Sequence, residues 1–284
     1  SAINLLVNQG LGPESILPEN HQLRVVLERK LSSPLISILS PPNPPEIQFA
    51  ALRVVNLLLQ TFPRLFQSSE IGVFFCSYND PQYVKLEKLE IIGKIVNDGC
   101  IERIIPELAE YAKDVDSEIV KEAIKILSQC AQSLSRWTRT ILAVFAELLE
   151  TNLPIILQEV TINLIPMIRC SSNPEDCKHE IFPLIESFYF SDLEAFWRSL
   201  HGGQEAAQAA FIWLLGEFTN ENYLLSSEDI SRNFSFFSNF ILSKDDFPLE
   251  GIQFQRQALH AALKLFISNV NHEMSLRMAQ EAVE

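Results

Sequence analysis

A single apolar template recurs six times along the chain and restricts it to one kind of architecture. The template is an apolar residue at i, a mostly small or tolerant one at i+4, and apolar or small residues at i+7 and i+8. Its copies are Ile47, Ala51, Val54, Val55; Val84, Lys88, Ile91, Ile92; Ile119, Ala123, Ile126, Leu127; Leu157, Thr161, Leu164, Ile165; Ala206, Ala210, Trp213, Leu214; and Phe254, Ala258, Ala261, Ala262. Their starts lie 37, 35, 38, 49 and 48 residues apart. Positions i, i+4, i+7 and i+8 share one helical face, so each copy is a helix showing an apolar stripe, with a small residue where a neighbour must come close. Lys88 and Thr161 depart from the template.

Second amphipathic helices are expected between the copies, such as Ile101 to Lys113, kinked at Pro106, and Trp137 to Leu149. A helix pair every 35 to 40 residues leaves its stripe uncovered unless it stacks on the next pair. The expected fold is all-α: an α-α superhelix, a solenoid of the HEAT or armadillo type. The longer last spacings imply insertions near residues 171–203 and 221–251. No linker between independent domains is visible, so residues 1–284 read as a single solenoid segment. Asp98-Gly99 lies between helix-period segments and reads as a helix stop. Pro81 after Asn79-Asp80, Pro154 after Asn152-Leu153, and Pro44-Pro45 after Asn43 open helices, with Asp80 a candidate cap for the free N–H groups.

With 47% hydrophobic residues the chain can bury a large core, and no apolar run reaches the length that spans a bilayer. It opens without methionine in apolar, helix-like sequence and stops at Glu284 with no closing signal, which reads as a piece of something longer. The five cysteines (Cys76, Cys100, Cys130, Cys170, Cys177) are odd in number and lack zinc or redox spacing, so reduced, mostly buried thiols are expected. The sequon Asn233-Phe234-Ser235 matters only in a secreted protein. Charge is uneven: residues 1–142 hold 14 Lys+Arg against 16 Asp+Glu and residues 143–284 hold 8 against 20, so net −2 and −12 make up the total of −14. Phosphate binding needs a positive surface, so no nucleic acid partner is expected. Any basic contact patch falls in the first half, around Lys85, Lys88, Lys94, Arg103, Lys121 and Lys125.

Motifs for chemistry are missing. Gly93-Lys94 lacks the preceding glycine of a phosphate-binding loop, and His201-Gly202-Gly203 has no accompanying nucleophile elbow. The histidines (His21, His179, His201, His260, His272) show no metal-binding pair on one helical face. No carboxylate pair is placed in a dry cleft. The expectation is no enzyme, no catalytic residue, no cofactor and no metal. Two dense aromatic clusters, Phe188-Tyr189-Phe190 with Phe196-Trp197 and Phe234-Ser235-Phe236-Phe237 with Phe240 and Phe247, read as packing within enlarged repeats, or else as anchors for a partner.

One run is not dictated by periodicity. Phe74-Phe75-Cys76-Ser77-Tyr78-Asn79-Asp80-Pro81-Gln82-Tyr83-Val84-Lys85-Leu86-Glu87-Lys88-Leu89-Glu90-Ile91 resembles the trunk of the β-type large subunits of adaptor protein complexes, the adaptins of vesicle coats. Three further runs support it in order: Ile47 to Leu57, Glu110 to Asp116, and Ala209 to Glu217 with its Ile-Trp-Leu-Leu-Gly-Glu core. The resemblance covers roughly residues 21 to 268, the middle and later part of such a trunk. Phe74-Phe75-Cys76-Ser77-Tyr78, Val96-Asn97-Asp98 and Ile212 to Gly216 lean toward the fourth, clathrin-independent complex, and Tyr-Asn-Asp-Pro with Leu-Glu-Lys-Leu leans toward the first and second.

The resemblance implies a scaffold subunit of a heterotetrameric vesicle-coat adaptor complex in intracellular protein transport and cargo sorting. Its implied partners are the other large adaptin and the medium and small subunits, with clathrin engaged through regions outside this stretch. It implies a cytoplasmic protein, peripheral on Golgi, trans-Golgi network, endosome or coated-vesicle membranes and held there only through the complex. No binding residue of the family carries over; Lys85 and Lys88 are the candidate partner contacts. The competing reading is a free-standing α-solenoid receptor, of the nuclear transport carrier or phosphatase scaffold type, whose acidic half binds basic peptides.

Overall fold

The structure, a computed structural model, describes residues 22–40, 43–170, 174–200, 205–219, 227–237 and 252–268. These form twelve α-helices and no strand. In chain order they are α1 Gln22–Leu39, α2 Pro45–Thr61, α3 Gln82–Ile95, α4 Ile101–Tyr111, α5 Ser117–Ser133 and α6 Thr138–Glu150. Then come α7 Pro154–Cys170, α8 Pro174–Leu184, α9 Leu193–Ser199, α10 Glu205–Phe218, α11 Ser227–Phe236 and α12 Ile252–Ser268. A 3₁₀ turn, Ile71–Phe74, precedes α3, and α8 runs on into a π-helical stretch, Ile185–Phe190.

The chain divides into two compact units, residues 1–126 and 127–284, with the division inside α5. In the first unit α2 packs against α1 and α3, and the 3₁₀ turn against α3. In the second, α7 packs against α6, α8 and α10, while α10 lies along α12. The template helices α2, α3, α5, α7, α10 and α12 carry the core. Val55, Val84, Ile91, Ile92, Ala123, Ile126, Leu127, Leu164 and Leu214 are all buried, and Ala210, Ala258, Ala261 and Ala262 are the small residues where helices approach. Ile47 differs, being half exposed at 50%, on the first copy.

The two departures from the template are core residues after all. Thr161 is fully buried, donating to Leu157 O at 2.5 Å and meeting the Tyr189 hydroxyl at 3.2 Å. Lys88 is buried too, for the reason given below. A polar group in such a position is tolerated because each of its hydrogen-bonding atoms has a partner inside.

The expected second helices are present as α4 and α6. α4 runs through Pro106 as one helix and ends two residues earlier than expected, at Tyr111. Asp98-Gly99 lies in the joint after α3, and Pro44 and Pro81 stand at the N-caps of α2 and α3. Asp80 does not cap α3: Pro81 is the N-cap and makes no side-chain cap bond. Asp80 instead accepts the Ser77 N–H at 2.8 Å, closing the turn that leads into the helix. The stretch expected as an insertion at 171–203 holds α8, the π-helical stretch and α9, and of 221–251 only residues 227–237 are described.

The described members of the aromatic clusters are core, except Phe188, which is half-buried. Tyr189, Phe190, Trp197, Phe234 and Phe237 are almost fully buried, with Tyr189 and Phe196 at 4.4 Å between ring centres and Phe211 at 5.3 Å from Phe196. Offset ring contacts of this kind favour packing that fixes an enlarged repeat. Phe240 and Phe247 lie outside the described residues, as does His201-Gly202-Gly203. Asn233 of the sequon is fully buried and donates to Thr219 Oγ1 at 3.1 Å, leaving no room for a glycan.

Candidate functional site

The runs that set this sequence apart meet one another in space. In the first unit the Phe74–Ile91 run supplies the turn before α3 and α3 itself, and the Glu110–Asp116 run supplies the end of α4 and the joint after it. Lys85 Nζ on α3 donates to Asp114 Oδ2 at 2.9 Å. The Cys76 N–H donates to the Tyr111 hydroxyl at 2.9 Å, and that hydroxyl donates to Glu107 Oε2 at 2.6 Å. Asp114 Oδ1 in turn accepts the Asp116 N–H at 3.0 Å. These bonds pin one inter-helix joint to the next.

Lys88 closes the same assembly from inside. Only 4% exposed, it reaches back along α3 and donates to Asp80 Oδ2 at 2.7 Å and to Phe75 O at 3.1 Å. A buried ammonium must be paired and hydrogen-bonded, and Asp80 with the Phe75 carbonyl provides both. Lys85 and Lys88, the candidate partner contacts, each have a bonding partner within their own unit. Both amines turn inward because carboxylates and a carbonyl lie within hydrogen-bond reach.

The Ile47–Leu57 run is tied to the same helix. Asn56 Nδ2 on α2 donates to Glu87 Oε1 at 2.9 Å, Arg53 lies 3.4 Å from Glu87 Oε2, and Lys94 donates to both Asn56 and Glu90. Glu87 is buried, so its carboxylate depends on these donors.

In the second unit the Ala209–Glu217 run forms an equivalent hub. Gly216 on α10 faces α12 so closely that an added Cβ would sit 2.8 Å from Ala261 Cα and Cβ. Glu217 receives Lys178 of α8 at 2.7 Å and also Lys264 of α12. Trp213 stacks under two cations, Arg169 at 4.9 Å and Lys264 at 5.0 Å from the ring centre.

The electrostatics fit structural locks. Burial pushes the Glu217 carboxyl up, but Lys178 and Lys264 outweigh it and hold the group below its ordinary value. Asp114 behaves alike, raised by burial and brought below its usual range by Lys85, while the same bond raises Lys85. Lys94 and Asn56 lower Glu90. Burial pushes the Cys76 thiol up to about 12 and also raises Tyr111, with Glu107 adding to the latter. Every shift favours the state the group already has at neutral pH, the opposite of a group poised for proton transfer.

One groove of about 660 Å³ lies between α6 and α8, lined by Arg139, Leu142, Asp176, His179, Glu180 and Pro183, and Arg139 Nε donates to Glu180 at 3.0 Å. Asp176 and His179 are exposed, so the groove lacks the dry environment in which carboxylates act as acid and base. Among the described residues no three His, Cys, Asp or Glu side chains group as a metal site, and no helix is long and apolar enough to cross a membrane. Of the cysteines, Cys100, Cys130 and Cys177 are buried, Cys76 is half-buried and Cys170 is exposed; all five are free thiols.

The sequence matches the family described as Adaptin N terminal region over residues 1–282, and the chain belongs to that family. It is 33% identical over 84% of its length to the AP-1 complex subunit beta of Dictyostelium discoideum, and 30% identical over 88% to the AP-1 complex subunit beta-1 of Homo sapiens. It spans only 22% and 24% of those two relatives. Its fold is similar to a structure described as a homology model of the full-length AP-3 complex in an intermediate open conformation. That likeness has a TM-score of 0.56 at 19% identity, over 92% of this chain and 40% of the other.

Proposed function

We propose that this chain is the load-carrying part of a scaffold subunit in a heterotetrameric vesicle-coat adaptor complex. The observation that carries the reading is the use of its distinctive residues. Glu87, Gly216 and Glu217 join one helix to another, and Lys85, Lys88 and Tyr111 tie helices to the joints between them. Such bonds hold the helices of each unit in fixed arrangement, which is what a carrier of other subunits needs. Membership of the adaptin family and the names of its relatives support the same assignment.

The reading places residues 1–284 as one segment of a longer solenoid trunk, not an enzyme, paired with the other large adaptin and with medium and small subunits. It makes the protein cytoplasmic and peripheral on Golgi, trans-Golgi network, endosomal or coated-vesicle membranes. Lys85 and Lys88 serve such an assembly by fixing the joint around α3, whose outer surface a partner would then meet. The test is affinity purification of the full-length protein from its own cells, with partners identified by mass spectrometry. Recovery of a second large adaptin with medium and small subunits supports the proposal. Recovery of basic cargo or a phosphatase without them overturns it in favour of a free-standing receptor.

A further inference from the structure

Within the two runs that fasten the joints of the first unit, two large side chains take no part in the fastening. Tyr78 is 96% exposed and Val115 is 104% exposed, the highest values among the exposed large apolar residues described. The backbone beneath each is held. In the Ser77–Asp80 turn the Asp80 N–H donates to Ser77 O at 3.1 Å and the Ser77 N–H donates to Asp80 Oδ2 at 2.8 Å. Val115 sits between Asp114, whose Oδ1 accepts the Asp116 N–H at 3.0 Å, and Asp116, whose Oδ1 accepts the Glu118 N–H at 2.9 Å. The two turns are also fastened to each other, by the Cys76 N–H on Tyr111 and by Lys85 on Asp114, so both side chains stand out from one edge of the unit. An aromatic and a β-branched side chain held out on pinned turns need little further ordering when a surface covers them.

The charge around the pair says what kind of surface that is. Lys85, Lys88, Lys113 and Lys121 are each paired with a carboxylate, Asp114, Asp80, Glu110 and Glu118 respectively. Asp116, next to Val115, has no cation partner among the described residues. The charge left over at this edge is therefore negative. It repels an anionic lipid surface and attracts a lysine or arginine beside an apolar hollow. A subunit bound for the life of a complex also keeps two such side chains out of water, which a passing contact does not.

We propose that Tyr78 and Val115 are the anchors of a docking surface whose occupant is a companion subunit of the adaptor assembly, presenting an apolar hollow with a lysine or arginine at its rim opposite Asp116. This inference rests on the scaffold assignment and adds to it the place where one partner sits. The polar members of the runs shape the edge, and the two apolar members make the contact.

The experiment places the photo-crosslinking residue p-benzoylphenylalanine in the full-length protein in its own cells, in place of Tyr78, of Val115 or, as control, of exposed Glu102 at the other end of α4. Affinity purification and mass spectrometry then identify what is joined. Positions 78 and 115 are expected to reach one and the same co-purified subunit, through a peptide containing lysine or arginine, and the control to give at least about tenfold less of that product. Tyr78→Ser with Val115→Ser is expected to lower recovery of that subunit about tenfold or more and to leave the Tm of the purified protein unchanged, since neither side chain is packed within its own chain. Asp116→Asn is expected to lower recovery several-fold and to make it less sensitive to salt. Crosslinks to a second copy of this chain, to lipid, to proteins outside the assembly or to nothing would each overturn the proposal. So would full retention of every subunit by the double variant, or a fall in its Tm, which marks a structural role. If the unaltered protein retrieves no second large adaptin and no medium or small subunit, the scaffold assignment fails and this proposal with it; a failure confined to the variants and crosslinks sinks this proposal alone.

Discussion

Replacing Gly216 by alanine sets two local effects against each other, and the structure decides which wins. Alanine is the better helix former, and in an exposed helix interior the change gains about 0.5 to 1 kcal/mol. At Gly216, inside α10, the new Cβ would lie 2.8 Å from both Cα and Cβ of Ala261. Neither neighbour is the end of a flexible side chain, so α10 and α12 must separate. Overpacking of this kind costs about 1 to 3 kcal/mol. The expected net result is destabilisation by about 1 to 2 kcal/mol, a fall of roughly 2 to 6 °C in the melting of a unit this size. Differential scanning calorimetry of the wild-type and Gly216→Ala proteins measures it. A partial rescue by Ala261→Gly in the alanine background is also expected, because one of the two colliding atoms is removed, and the excess over additivity reports the contact. If Gly216→Ala raises Tm, helix propensity governs the position and the close approach of α10 to α12 is wrong.

Lys88→Met is expected to destabilise the first unit by about 3 kcal/mol, because it leaves Asp80 without its buried partner, whereas Lys85→Met costs less because its partner Asp114 is better hydrated; urea unfolding separates the two. A partner-contact role alone would leave both stabilities unchanged. Native-state labelling with a thiol reagent at pH 8 is expected to modify Cys170 first and to spare Cys76, whose thiol is held protonated by a value of about 12, with peptide mapping as the readout. Glu90, Asp114 and Glu217 have folded values below their ordinary ones, so their stabilising contribution is complete above the ordinary carboxylate range. It is lost as pH falls from about 4 through the lowered values. Lys85 has a raised value, and its contribution is complete below about 10.4 and lost as pH rises beyond that. A pH titration of Tm from 3 to 7 is therefore expected to fall at the acid end, and Glu217→Gln to flatten that fall; an equally steep fall in the variant would refute the role of Glu217.

Much of the fold was legible because helix stacking writes itself into spacing. Residues buried against the previous and the next helix must recur at i, i+4, i+7 and i+8, and Val84, Ile91 and Ile92 or Ile119, Ala123, Ile126 and Leu127 do so whatever the rest of the sequence does. The alanines of α12 marked a close approach before its neighbour was known. The π-helical turn Ile185–Phe190 was not legible, since one extra residue per turn changes no residue type and only shifts which side chains point inward. The role of Asp80 was half legible: an aspartate before a proline at a helix start has the composition of a cap. Which N–H it accepts depends on the turn it sits in, and Ser77 lies nearer than the helix.

Lys88 shows why the site itself was harder to read than the fold. Its position i+4 on the template demanded a buried residue, and its chemistry suggested an exposed one. Sequence alone offers no way to rank those demands, because the deciding groups, Asp80 and the Phe75 carbonyl, are brought to it by a turn and not by helical spacing. The same holds for Lys85 with Asp114 and for Glu217 with Lys178, pairs separated by 29 and 39 positions in the chain. What the sequence did carry was the coincidence of the runs. Polar residues kept at core positions are expensive unless each has a partner, so a run that holds several of them beside a second such run points to a joint between them. Read in that way, a distinctive polar stretch in a repeat protein identifies first the place where repeats are fastened, and a binding surface only where its groups remain unengaged.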